Sequence, residues 1–287
     1  MNENALAVNG LTKQYKDFTL DGVSFAVPCG TIVGLVGENG AGKSTTMNAI
    51  LGLIQKDAGT IEIFGKQDAQ IDNAVRNRIG VVFDGNNFPD VLTARQLSNI
   101  FKKLYDEWDE GEYFALLQKI SLPLDKKIKE FSKGMKMKLS IAVALSHHSQ
   151  LLILDEATSG LDPVVRDDIL DMFLDFVQDE GHSILVSSHI TSDLEKVADY
   201  IVFIHQGKVV FVKPKDELRY QYGVLRCGKA QFEEIDRADL VAWRRQDYEW
   251  EALVADREAA RRKYPKAVVD PATIDEIMLL YVKGEGQ

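Results

Sequence analysis

A glycine-rich segment at residues 37–45, Gly-Glu-Asn-Gly-Ala-Gly-Lys-Ser-Thr, limits the folds open to this chain more than any other segment. It matches the pattern G-x-x-x-x-G-K-[S/T], in which glycines let successive backbone N–H groups face an anion at a helix N-terminus. The apolar run Thr31–Val36 predicts a buried strand before it, and Ser44–Leu53 predicts a helix after it. This order predicts a phosphate-binding loop in which Lys43 reaches the β- and γ-phosphates of a nucleotide and Ser44 ligates Mg²⁺. The predicted nucleotide-binding residues of this segment are Gly37, Asn39, Gly40, Gly42, Lys43, Ser44 and Thr45.

Two adjacent carboxylates follow a second apolar run. Leu151–Leu154 predicts a buried strand, and Asp155 and Glu156 come directly after it. Ligands of open α/β sheets bind at the carboxyl ends of strands, so we expect these side chains near the phosphate-binding loop. Asp155 is predicted to hold Mg²⁺, directly or through water, and Glu156 to polarise the attacking water as a general base. An Asp-Glu pair alone is often a plain helix start, and it gains its significance from the loop upstream.

Strands alternating with helices predict an α/β fold with a mixed, largely parallel sheet. Residues 1–212 are predicted to form the nucleotide-binding domain, with an inserted helical subdomain at about 87–147. Within that insertion, Thr93 and Gln96 predict a capping box for a helix with Leu97, Ile100, Phe101 and Leu104 on one face. Residues 213–287 are denser in charge and predict a small α+β appendage. Its role is open between a structural cap and a dimerisation or regulatory element.

Charge, cysteine content and the lengths of the apolar runs limit the partners and the compartment of this chain. The 34 Lys and Arg against 44 Asp and Glu give a formal charge of −10, which argues against a general nucleic-acid binder. Two cysteines are too few for a disulfide framework and fit a reducing compartment. The N-terminal residues lack the pattern of a signal peptide, and no apolar run approaches the ~20 residues of a membrane span. We therefore expect membrane contact only through a partner.

The ordered set of motifs resembles the ATP-binding-cassette (ABC) ATPases. A segment reading Phe131-Ser-Lys-Gly-Met135 opens a predicted helix between the phosphate loop and the Asp-Glu strand, and Ser159-Gly-Leu-Asp162 follows that strand. His189 then comes after the predicted strand Ser183–Ser188. The resemblance covers about residues 4–212. Lys133 and Met135 depart from the family's L-S-G-G-Q signature.

The resemblance implies roles for further residues. Ser132 and Gly134 match positions that contact the γ-phosphate bound by the opposite subunit, and Asp162 matches the D-loop that crosses the dimer interface. His189 matches the switch histidine that holds the γ-phosphate and the water. Tyr15 matches the aromatic that stacks on adenine, although it could also be an ordinary strand aromatic. Lys43, Glu156 and His189 are thus the predicted catalytic residues.

One departure from the family concerns the metal. The family usually has Gln after the strand that Ile79–Phe83 predicts here, and this chain has Asp84. An aspartate can bind Mg²⁺ but cannot donate a hydrogen bond when ionised. We expect Asp84 to join Ser44 and Asp155 as a metal-binding residue.

The resemblance implies an ATPase that uses ATP and Mg²⁺ and works as a dimer of cassettes, identical or different. Because the chain has no predicted span, transport would require separate transmembrane permease subunits, and the chain would lie on the cytoplasmic face of the bacterial membrane. The pattern is similar to exporters of the bacitracin-resistance, lantibiotic-immunity and phenol-soluble-modulin type, which implies peptides or drugs as cargo. The alternatives are a soluble ABC ATPase acting on DNA or ribosomes and a nucleotide-gated regulatory module. A phosphate-loop kinase is disfavoured because nothing in it requires the motif at Ser132 and Gly134.

Overall fold

Strands and helices alternate through most of the chain. The structure, a computed structural model, describes residues 3–68, 71–85, 87–246 and 248–286. The strands are β1 Asn4–Gln14, β2 Thr19–Pro28, β3 Ile32–Val36, β4 Ala58–Ile63, β5 Lys66–Gln67, β6 Ile79–Val82, β7 Leu151–Asp155, β8 Ser183–Ser188, β9 Tyr200–His205, β10 Lys208–Pro214, β11 Gly223–Cys227, β12 Ala242–Arg245, β13 Trp250–Val254 and β14 Val268–Pro271. The α-helices are α1 Lys43–Ile50, α2 Asn73–Arg76, α3 Ala94–Phe101, α4 Glu110–Lys119, α5 Lys133–Leu145, α6 Pro163–Phe176, α7 Thr191–Val197, α8 Lys215–Tyr220, α9 Lys229–Glu233, α10 Arg257–Lys263 and α11 Ile274–Lys283.

A six-stranded sheet contains β3, β7 and β8, the strands whose carboxyl ends the sequence predicts to bind nucleotide. Its order is β10-β9-β3-β8-β7-β6, with β9, β3, β8, β7 and β6 parallel and β10 antiparallel to β9. All residues of β3 and β8 are buried, as expected for strands covered on both faces. The register places Val36 beside Ser188 and Asp155 beside Ser187, so the carboxyl ends of β3, β7 and β8 meet. The predicted α/β fold with a mixed, largely parallel sheet is confirmed.

A second, antiparallel sheet covers one side of this core. Its order is β2-β1-β4-β5. Leu6 and Val8 of β1 share one hydrophobic cluster with Leu35 of β3 and Met47 of α1. The hairpin of β1 and β2 is therefore fixed against the helix that follows the glycine-rich loop.

Residues between β6 and β7 form a helical layer with its own core. Leu97, Tyr113 and Leu139, from α3, α4 and α5, lie in one buried cluster, and the Tyr113 hydroxyl donates to the Ala94 carbonyl at 2.9 Å. The predicted capping box of Thr93 and Gln96 is present. The predicted apolar face is shorter than the sequence indicated: α3 ends at Phe101, and Ile100 and Leu104 are 41% and 64% exposed.

The C-terminal residues form a third sheet and a helix that packs on the core. The sheet is antiparallel with order β12-β13-β11-β14. Ile277 and Leu280 of α11 belong to the same buried cluster as Leu194 of α7 and Phe203 of β9. The Ile274 N–H donates to the Glu195 carboxylate of α7 at 3.0 Å. The last helix thus shares a core with the nucleotide-binding domain, and β10 continues past residue 212 to Pro214.

Across residues 3–68, 71–85, 87–246 and 248–286, none of the helices combines the length and apolar character that crossing a membrane requires.

Candidate functional site

The glycine-rich loop connects β3 to α1 and needs its glycines. Gly40 and Gly42 have φ of +83° and +115°, which side-chain-bearing residues rarely adopt. A Cβ on Gly37 would lie 2.4 Å from the Ile204 carbonyl oxygen. Ser44 and Asn39 are exposed and Thr45 is partly buried. The loop is therefore open to solvent at Asn39 and at Ser44, in the first turn of α1.

Lys43 lies over the loop. Its side chain is 6% exposed, and Nζ donates to the carbonyl oxygens of Gly37 at 2.8 Å and Glu38 at 3.3 Å. The same nitrogen is 3.6 Å from Glu156 Oε1. A buried lysine held by carbonyl oxygens and a carboxylate is a cation ready to exchange these acceptors for phosphate oxygens.

Glu156 connects Lys43 to His189. Its second oxygen, Oε2, is 2.5 Å from His189 Nδ1. Because an ionised carboxylate can only accept, Nδ1 donates to it, which leaves Nε2 of the ring for another partner. The backbone of Glu156 is left-handed, with φ of 54°, which is uncommon for a residue other than glycine and is often found at functional sites. The three predicted catalytic residues therefore lie in one connected group.

Ser187, which the sequence did not reveal, bonds the Asp155 carboxylate and the backbone of Glu156. Its hydroxyl donates to Asp155 Oδ1 at 2.5 Å and accepts from the Glu156 N–H at 3.0 Å. It lies beside Asp155 in the register of β7 and β8. The available signal was a pair of serines, Ser187 and Ser188, at the carboxyl end of an otherwise apolar strand.

Oxygen ligands at this end of the sheet fit a magnesium ion. Mg²⁺ prefers carboxylate, hydroxyl and phosphate oxygens. The exposed Ser44 lies in the first turn of α1 beside the loop, and Asp155 ends β7 next to Ser187. These two donors are suited to hold the metal together with the phosphates of a nucleotide.

Ser132, Gly134 and Asp162 form a second group, at the starts of α5 and α6. Ser132 caps α5 by accepting from the Met135 N–H at 3.2 Å, and Asp162 caps α6 by accepting from Val165 N–H at 3.1 Å. A Cβ on Gly134 would lie 2.8 Å from Val165 Cγ1, so glycine is what allows the two helix starts to pack closely. Ser132 and Asp162 are exposed.

Asp84 belongs to this second group through Lys133. Asp84 Oδ1 lies 3.1 Å from Lys133 Nζ, and the two side chains are 50% and 46% exposed. The carboxylate predicted to bind Mg²⁺ is thus paired with the lysine of the signature segment in the same subunit.

Tyr15 lies in the turn between β1 and β2, at the border of the loop. Its N–H donates to the Phe18 carbonyl at 2.8 Å, and its ring is 44% exposed. Phe18 reaches the loop, because a Cβ on Gly42 would lie 3.0 Å from its ring. An exposed aromatic at this border is placed where it could stack on a nucleotide base.

A second unpredicted contact involves the loop itself. His205 Nδ1 lies 2.9 Å from Glu38 Oε1. His205 ends β9, and the following Gly207 N–H donates to the Ala41 carbonyl at 2.9 Å. The turn between β9 and β10 thus supports the loop, a role that the sequence around His205 did not reveal.

Comparisons with known proteins agree with this site. Residues 20–159 match the family model described as ABC transporter. The chain is 36% identical over 212 residues to the bacitracin transport ATP-binding protein BcrA of Bacillus licheniformis, which covers 73% of this chain and 69% of BcrA. It is also 36% identical over 214 residues to the lantibiotic transport ATP-binding protein SrtF of Streptococcus pyogenes, covering 74% of this chain and 91% of SrtF. A solved structure described as the ATP binding subunit of an ABC transporter superposes with a TM-score of 0.67 at 32% identity, covering 75% of this chain and 92% of that one.

These matches, together with the loop, the paired carboxylates and the histidine, define the class of the protein. The chain belongs to the ATP-binding-cassette family of ABC transporter ATPases. It binds ATP and is an ATPase, as members of that family are.

Proposed function

We propose that this chain is the ATP-hydrolysing subunit of an ABC exporter that moves amphipathic or antimicrobial peptides, or drugs, through separate transmembrane permease subunits. The observation that carries the hydrolytic part is the connected group of Lys43, Glu156 and His189 beside the glycine-rich loop. The names of BcrA and SrtF, which concern bacitracin and lantibiotic transport, support the choice of cargo class and argue against a soluble ATPase.

Hydrolysis follows from the chemistry of these side chains. Lys43 would turn from the Gly37 carbonyl to the β- and γ-phosphates, where its charge stabilises the transition state. That move would leave Glu156 bound to His189 alone and free to orient and polarise the attacking water. Mg²⁺, held by Ser44 and Asp155, would neutralise phosphate charge. Asp84 could reach the metal only by giving up its ion pair with Lys133.

A second cassette, identical or different, would complete each site. The chain has one phosphate-binding loop and one signature segment. Ser132 and Asp162 lie exposed at the helix starts, available to a nucleotide held by a partner. In this proposal ATP joins the two subunits, and its binding energy favours the closed dimer.

The permease would dock beside the helical layer. A cavity of about 660 Å³ lies among the end of α1, β4 and β6 and reaches the helical layer at Tyr105; Leu53, Arg76 and Phe83 also line it. Leu53 is 62% exposed at its border. A groove with apolar walls and a basic side chain suits a short helix of a membrane subunit. The chain would then lie on the cytoplasmic face of the membrane and touch it only through the permease.

Co-purification tests this function. The tagged chain is used as bait in detergent-solubilised membranes of its host, the bound proteins are identified by mass, and the ATPase rate is measured with and without them. We expect a multi-span membrane protein that raises the rate, and we expect Leu53→Arg to lose it. Tyr220→Arg, on the equally exposed surface of α8, should retain it. Recovery of ribosomal, DNA-bound or regulatory proteins alone would contradict the transport assignment.

A further inference from the structure

The amino group of Lys133 joins three segments of one subunit. Lys133 is the first residue of α5, directly after the capping residue Ser132. Its Nζ lies 3.1 Å from Asp84 Oδ1, in the loop after β6. The same nitrogen lies 3.3 Å from the place that a Cβ of Gly160 would occupy, between β7 and α6. One side chain of the signature segment thus pairs with the loop after β6 and lies next to Gly160 of the D-loop segment.

The position of Lys133 is unfavourable for the helix by itself. A helix N-terminus carries partial positive charge, and a cation there is destabilising. The first turn of α5 has no acidic residue of its own. Asp84 brings a carboxylate to this turn from another segment, so the pair compensates both the lysine and the helix end.

Gly160 leaves the path open for the lysine. Its φ is +66°, so a side chain would be strained there and would also crowd Nζ. A second ion pair, Lys136 Nζ to Asp90 Oδ1 at 3.4 Å, connects α5 to the same region after β6. The start of α5 is therefore tied to that region at two successive turns.

We propose that Lys133 is a positioning residue. Its ion pair with Asp84, next to Gly160, holds the start of α5, the loop after β6 and the D-loop segment in one arrangement. In that arrangement Ser132 and Gly134 meet a nucleotide bound by a second copy of the chain. The proposal rests on the composite dimer of the proposed function. In the chain without nucleotide, the Asp84 carboxylate binds Lys133 rather than a metal ion. The effect of changing either residue should therefore depend on the other.

A double-mutant cycle in the Glu156→Gln background tests the pairing. The ATP concentration that gives half-maximal dimerisation is measured by sedimentation for Lys133→Met, Asp84→Asn and the double variant. Because an exposed ion pair contributes only a small free energy, each single variant should raise that concentration modestly, by about two- to fivefold per site. The double variant should cost no more than either single one, and Lys133→Met should leave the ATP affinity of the monomer unchanged. The matched control is Asp125→Asn, which breaks an exposed pair with Arg95 at 2.8 Å within the helical layer and should change nothing.

Additive losses would overturn the pairing, because Lys133 would then act on the nucleotide independently of Asp84.

Amide hydrogen exchange of the chain without nucleotide gives a second measurement. Asp84→Asn should speed exchange in residues 131–134 and 159–161, and unchanged exchange there would overturn the tie. If the Glu156→Gln parent does not dimerise with ATP, the composite dimer fails, and the exchange measurement still decides whether Asp84 and Lys133 hold these segments together.

Discussion

At the scale of single residues, the site depends on Glu156 more than on any other side chain. One oxygen faces Lys43 and the other accepts from His189, while its N–H donates to the Ser187 hydroxyl. Its backbone is left-handed, with φ of 54°. In the proposed function, these contacts hold the carboxylate that acts as the general base.

Replacing Glu156 with Gln should separate binding from hydrolysis. The amide keeps the size of the side chain but cannot take a proton, so turnover should fall by roughly 10²–10⁴-fold. ATP binding should be retained, and a closed dimer should accumulate. Steady-state phosphate release and nucleotide titration measure the two effects. Glu180→Gln, an exposed carboxylate before β8, serves as the control. Hydrolysis at the wild-type rate in Glu156→Gln would remove Glu156 from this role.

At the scale of elements, α11 links the C-terminal segment to the catalytic sheet. It packs on α7, which begins two positions after His189, and shares a buried cluster with β9. The C-terminal segment is therefore joined to the element that follows His189. This arrangement supports a structural role for α11, and a dimerisation role for the rest of 213–287 stays a prediction.

Ile277→Ala should destabilise the whole nucleotide-binding domain. Ile277 is fully buried in the cluster that includes Leu194 and Phe203, so its truncation leaves a cavity and should cost about 2–5 kcal/mol. Denaturant unfolding monitored in both regions measures the loss. Leu104→Ala, at a position 64% exposed, should have little effect. Loss confined to the C-terminal sheet, with the domain unaffected, would contradict a shared core.

The C-terminal sheet should weaken in acid. Burial alone would raise the pKa of Glu251, but hydrogen bonds from Arg244, Gln246 and Arg226 outweigh it and hold the pKa below its usual 4.5. Burial is likewise outweighed at Glu276, whose pKa is lowered by bonds from Thr273 and Arg226. A carboxylate with a lowered pKa in the folded state stabilises it above the unfolded pKa and loses this contribution as the pH falls.

Thermal unfolding followed across pH measures this effect. The unfolding temperature of the C-terminal sheet should decline as the pH drops below about 4.5. Arg226→Met should make that decline shallower, because Arg226 contacts both Glu251 and Glu276. An equal decline in the variant would assign the acid sensitivity to other groups.

Sequence patterns predicted the elements better than the contacts between them. The glycine-rich loop, the Asp-Glu strand end and the capping box at Thr93 are local, and spacing alone revealed them. Periodicity extended α3 to Leu104, but the helix ends at Phe101 and leaves that side chain in solvent. The bond from Ser187 to Asp155 and the pair of Lys133 with Asp84 join segments far apart in the chain, so only the folded topology brings them together.

At the scale of the whole molecule, the proposed reaction requires two cassettes. Lys43, Glu156 and His189 form one connected group, whereas Ser132, Gly134 and Asp162 lie at the starts of α5 and α6. In the proposed function each group carries half of a composite site. A single cassette would therefore bind ATP without a complete site.

The dependence of ATPase activity on protein concentration tests this requirement most directly. The wild-type chain is assayed at saturating Mg²⁺ and ATP over a wide range of dilutions, and the rate is divided by the amount of enzyme. If two copies form each site, this specific activity should rise with concentration and level off once the chain is dimeric. A specific activity that stays constant down to dilutions at which sedimentation shows only monomers would contradict the composite site.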